Sequence, residues 1–170
     1  MTIRRRPYRA VFIVCSVLWM ILIFSMSAAP GQETLRTSGR LVTFVQKVFY
    51  KKWEALPEAE FTAYLGRLNY FLRKAAHMTE FAVLGALFSL VSATFQKRFS
   101  FRAAVSFLCG VLYAASDEIH QHFVPGRDGI VFDVLVDSAG VFIGVVTVLG
   151  ILAMIGEDRK TGGTAAALPQ

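Results

Sequence analysis

The sequence predicts an all-α membrane protein: a four-transmembrane-helix bundle with an amphipathic helical extracytoplasmic connection between spans 1 and 2. Three observations predict it. The chain has 170 residues, 55% of them hydrophobic and only 18% charged, where a soluble domain carries about 25% charged residues; its mean hydropathy is +0.51. The apolar residues are gathered into runs long enough to cross a bilayer. The basic residues, which give a net charge of +6, flank those runs instead of alternating with aromatics on a polar surface. Flanking charge of this kind orients membrane helices, so nucleic acid is not expected as a partner.

Residues 1–9 form a basic N-terminus, with Arg4, Arg5, Arg6 and Arg9 ahead of span 1 at about 10–28. No charge occurs from Ala10 to Gln32, and twenty helical residues reach about 30 Å, the depth of the hydrocarbon. A cleaved signal peptide is the alternative, since SMSAAP offers small residues for a cut. The uncharged stretch outruns the apolar core of such a peptide, so a retained helix is expected. Cys15 and Cys109 both fall inside apolar runs without metal-type spacing; they are read as small buried hydrophobes.

Gly31 to Arg73 is a long connection with two amphipathic pieces. Leu41, Phe44, Val45, Val48 and Phe49 make one stripe at helical spacing. After Pro57, a second stripe runs through Phe61, Tyr64, Leu65, Leu68, Phe71 and Leu72. Such helices lie in the headgroup layer or rest on a bundle as a lid. Further spans follow at about 75–95, 99–119 and 129–154. They complete a single membrane domain, 10–154, before a polar tail, 155–170, that reads as disordered and cytoplasmic.

Lys97, Arg98 and Arg102 between spans 2 and 3, with the N-terminal arginines, predict that both termini are cytoplasmic. The 31–73 connection is itself rich in Lys and Arg, but a long loop weighs little in that rule. Parity then gathers the polar residues at the outer face. Lys74, His77 and Glu80 open span 2, stepping by three along one flank. Asp117, Glu118 and Gln121 close span 3; Asp117 and Gln121 are i,i+4 partners, as are Glu118 and His122. Arg127, Asp133 and Asp137 come from the Pro125-Gly126 turn and the start of span 4. Asp133, Asp137, Gly140 and Gly144 form one stripe, whose glycines admit a close neighbour.

Those residues carry a resemblance. RKAAHMTEFAVLGAL and DEIHQHFVPGRDGIVFDVLVDSAGVFIG resemble the VanZ-like membrane proteins, whose pattern has a Lys-x-x-His-x-x-Glu-aromatic helix start, a DE-x-x-Q-x-F-x-P-x-R segment, then Asp-Val and spaced glycines. Lys74, His77, Glu80, Phe81, Asp117, Glu118, Gln121, Phe123, Pro125, Arg127, Asp133, Val134, Gly140 and Gly144 occupy those positions. Many members carry Asn where this chain has Asp137. The resemblance covers about Val11 to Met154. It implies a bacterial cytoplasmic-membrane protein associated with teicoplanin resistance, without implying a reaction.

Ionisable groups within membrane segments point to function. The expected partner is a membrane lipid or a lipid-linked cell-wall intermediate. Candidate catalytic residues are His77, Glu80, Asp117, Glu118, Arg127 and Asp133, with His77 or the Asp117/Glu118 pair as general base. Candidate substrate-binding residues are Lys74, Gln121, Arg127 and Asp137, Arg127 being suited to a phosphate or carboxylate. No metal or cofactor is assigned: Asp/Glu pairs and His at helical spacing leave a divalent metal open, but His120 and His122 at i,i+2 point to different helix faces and read as solvated. Catalysis, a binding shield and a purely structural charge network all remain open, as does the oligomeric state.

Overall fold

The computed structural model describes residues 6–29, 43–44, 58–95, 97–126 and 131–165. Its helices are α1 (Arg6–Ser27), α2 (Glu58–Ala93), α3 (Phe99–His122) and α4 (Val131–Ala165). All four are long and apolar enough to cross a membrane, and no strand occurs among the described residues. The chain is a multi-pass, all-helical membrane protein. Its outward surface suits that solvent: Leu18, Leu108, Leu112, Leu135 and Met154 are among many large apolar side chains exposed on the bundle.

Side-chain links fix the helix directions. Arg9, near the start of α1, donates to the Thr94 hydroxyl (3.0 Å) just past the end of α2. Ser27, the last residue of α1, meets Asp117 near the end of α3. Lys74 in α2 pairs with Asp133 in α4's first turn. The helices therefore alternate in direction, and the ends of α1 and α3 share one end of the bundle with Lys74 and the start of α4.

The most extensive pairing is α2 with α4. A Cβ built on Gly144 would collide with the backbone of Ala82 and Ala86, and one on Gly140 with the Met78 carbonyl. Gly85 on α2 is equally closed in, by the backbone of Val141. Small residues spaced four apart on both helices thus bring the two backbones into direct contact, the way membrane helices pack where lipid supplies no hydrophobic drive. Around this seam Ile23, Phe81, Leu84, Ala114, Val141, Val145 and Leu149 form the buried core. α1 lies against α2 and α3, its backbone remote from that of α4.

Three features differ from the sequence expectation. The second amphipathic stripe is not a separate element: α2 runs unbroken for 36 residues, about 54 Å, so the stripe is the first half of the helix that carries span 2. No proline occurs from Glu58 to Ala93, and the charges at Arg73 and Lys74 end the apolar run without ending the helix. Cys15 and Cys109 are exposed, not buried; α1 and α3 are apolar on more faces than the bundle can cover. α4 continues past Ile155 to Ala165, through the first part of the stretch expected to be disordered. The first amphipathic stripe lies outside the described residues except for Phe44, which is helical.

Candidate functional site

Asp117 is the centre of the polar cluster. It lies one helical turn before the end of α3, where its side chain turns inward and is only 2% exposed. Its Oδ2 accepts two hydrogen bonds, from Ser27 Oγ at 2.8 Å and from Gln121 Nε2 at 2.8 Å. Gln121 Nε2 also lies 3.3 Å from Ser27 Oγ, closing a triangle of three buried polar side chains. The Gln121 bond is the i,i+4 contact that the spacing predicts. Asp117 Oδ1 is buried and accepts no hydrogen bond from the described residues, an unusual state for a buried oxygen.

Asp137, also 2% exposed, sits one turn into α4 from Asp133. Asp117, Glu118, Asp133 and Lys74 are the charges whose fields act on it. Lys74 pairs with Asp133 and lies 5.1 Å from the centre of the Tyr70 ring. His77 and Glu80 are half-buried along the same flank of α2, and both make polar or ring contacts. The Glu80 carbonyl accepts a bond from Trp19 Nε1 at 2.9 Å, so α1 is fastened beside this flank too.

Glu118 has a different outlook. It is 6% exposed, yet it lines a recess of about 300 Å³ between the end of α3 and the start of α4. The remaining walls are Ala115, Ile119, His122, Phe123, Val131 and Val134. Phe123 and Val131 are largely exposed at its lip. An acidic group thus stands at the back of an apolar cleft that opens on the outer surface of the bundle.

Of the sequence-predicted residues, Lys74, Asp117, Gln121, Asp133 and Asp137 come together, and Glu118 joins them from the recess side. Arg127 lies outside the described residues. No group of three His, Cys, Asp or Glu side chains able to hold a metal ion occurs among the described residues. His122 is exposed, as expected of a turn histidine. His120 is not: its ring stacks on Phe24 at 4.2 Å, because α1 and α3 end side by side. Ser27 is a site residue that sequence reasoning passed over. Its only signal is its position, at the C-terminal end of an uncharged span, level with the carboxylates once the helices are aligned.

The family model VanZ/LLP1 matches residues 12–153, which includes every one of these positions. The chain belongs to the VanZ/LLP1 family. That match confirms the likeness first carried by the Lys74–Glu80 and Asp117–Asp133 segments. No curated protein and no solved structure matches the chain. Within the matched region, Lys74, Asp117, Asp133 and Asp137 build the polar end, and Gly140 and Gly144 build the α2–α4 seam.

Proposed function

We propose that this VanZ/LLP1 family protein binds or acts on a lipid or a lipid-linked cell-wall intermediate of the bacterial envelope, and contributes in that way to teicoplanin resistance. The observation that carries the reading is Glu118 at the back of an apolar cleft. Pockets that take amphiphiles are mostly apolar with a few placed polar groups. Ile119, Phe123 and Val131 suit a hydrocarbon chain, and the Glu118 carboxylate meets a hydroxyl or amine at its head. Behind it, Asp117 and Asp137 provide carboxylates held away from water, with His77 on the facing helix as a group able to exchange protons near neutrality. The basic flanks of the spans support placing this end at the outer membrane face.

A second reading has its own support. The Lys74–Asp133 pair ties α2 to α4 and the Ser27–Asp117–Gln121 triangle ties α1 to α3, as a non-catalytic pinning network does. Glu118→Gln, His77→Ala and Arg127→Ala separate the two. Loss of teicoplanin tolerance with normal protein levels in the membrane supports a binding or catalytic site. Retained tolerance in all three overturns it, and loss of the protein from the membrane favours the pinning network. Mass spectrometry of envelope lipids with and without the gene then distinguishes turnover from binding.

A further inference from the structure

The opposite end of the bundle holds a larger groove, of about 620 Å³, between the end of α2 and the start of α3. Its long wall is apolar: Phe88, Val91, Phe95, Phe101, Val105 and Cys109. Lys97 and Arg102 are its two charged lining residues, and both belong to the end nearest the α2–α3 turn. Ser92 and Ser106 lie at its floor, but their hydroxyls are already engaged. Ser106 Oγ donates to Ser92 Oγ at 3.0 Å, and Ser92 Oγ donates to the Ser89 carbonyl at 3.0 Å. The groove thus offers hydrocarbon contact along its length and positive charge at one end.

Positive charge gathers there from three sources. Lys97, Arg98 and Arg102 fall within residues 81–116, a stretch containing no Asp or Glu. The N-terminus of α3 is uncapped: Arg98 at the cap position makes no side-chain cap bond, and the first turn has no acidic residue. Its free amides and the helix dipole add partial positive charge. Arg9 stacks 4.2 Å from the centre of the Phe95 ring, beside the same turn. Orientation of the helices accounts for cations in a turn, but not for an aromatic-walled recess running from them into the bilayer.

We propose that the groove binds an anionic phospholipid, its headgroup phosphate held by Lys97, Arg98, Arg102 and the first-turn amides of α3, and an acyl chain laid along Phe95, Phe101 and Val105. The fit is one of charge and shape: basic pockets between membrane helices recognise acidic headgroups, and the apolar wall suits the chain. None of the described residues lining the groove is acidic, so none of them pairs with the ammonium of a zwitterionic headgroup. Preference for net negative lipid follows.

Native mass spectrometry of the full-length protein, released from detergent after mixing with equal phosphatidylglycerol and phosphatidylcholine of matched chains, tests this. Wild type retains phosphatidylglycerol in preference, and Lys97→Gln lowers that preference about fivefold. Adding Arg102→Gln abolishes it, and Val105→Trp, which fills the groove from its exposed side, reduces retention of both lipids. Equal retention by wild type, or an undiminished preference in the Lys97→Gln/Arg102→Gln protein, overturns the proposal. So does a lipid-free species of two chains, which would assign the groove to a second copy. If circular dichroism shows the double variant unfolded, Lys97→Gln and Val105→Trp decide, because neither position is in the core.

Discussion

Ser27 Oγ donates a 2.8 Å hydrogen bond to Asp117 Oδ2, joining residues 90 positions apart at the ends of two parallel helices. Ser27→Ala removes one of the two donors that hold this buried carboxylate. Leaving a buried acceptor short of a partner costs about 1–3 kcal/mol. Thermal unfolding of the purified protein in detergent is expected to show that loss, and Ser27→Thr is expected to restore most of it. A Ser27→Ala protein as stable as wild type would count against the triangle.

Gly144 and Gly140 admit no side chain without moving backbone on α2. Gly144→Ala is therefore expected to destabilise by about 1–3 kcal/mol, as overpacking does, and Gly144→Leu to prevent assembly of the bundle. Gly150, with open space around it, is the control: Gly150→Ala is expected to be neutral or mildly stabilising. Detergent-solubilised yield and melting temperature read out all three.

The Lys74–Asp133 pair is largely buried, with side chains 13% and 17% exposed. Breaking a fully buried pair costs roughly 3–5 kcal/mol, and this one retains some contact with its surroundings, so Lys74→Met alone is expected to fall below that range. Lys74→Met combined with Asp133→Leu is expected to recover much of the loss, since no lone charge remains. Losses in Lys74→Met and Asp133→Leu that simply add in the double variant would show that the two side chains do not interact.

Topology has its own check. In a Cys15→Ala/Cys109→Ala background, a cysteine at Phe44 is expected to react with a membrane-impermeant maleimide in intact cells, and one at Ser100 only after lysis. The reverse pattern would invert the bundle and place the carboxylates on the cytoplasmic side.

Much of this arrangement was legible before any coordinates, and for identifiable reasons. Helix count and parity alone brought Lys74, Asp117, Asp133 and Asp137 to one end, because a bilayer leaves few ways to connect four spans. The Gly140/Gly144 stripe announced a close neighbour. Its partner was not readable, since Ala82 and Ala86 look the same whether they face a helix or a lipid. The same ambiguity hid the exposure of Cys15 and Cys109: a helix apolar all round does not declare its inner face. Ser27 escaped notice because an uncharged serine at a span's end has no pattern of its own. α2 was divided at Lys74 because hydropathy follows side chains, whereas the backbone ladder there has no proline to stop it.

The attachment of α1 carries a consequence for how the protein works. Near the polar end, point bonds among the described residues fasten it: Ser27 to Asp117, Gln121 to Ser27, Trp19 to the Glu80 carbonyl and Tyr113 to the Met20 carbonyl. Such bonds in a bilayer average about 0.6 kcal/mol each, and the backbone of α1 does not approach that of α4. Its seat is thus shallow beside the glycine seam, and a ligand that competes for Asp117 is expected to tip the helix outward like a latch lifted from its catch. Paired spin labels at Leu22 and Ile143 would show that widening, or its absence, directly.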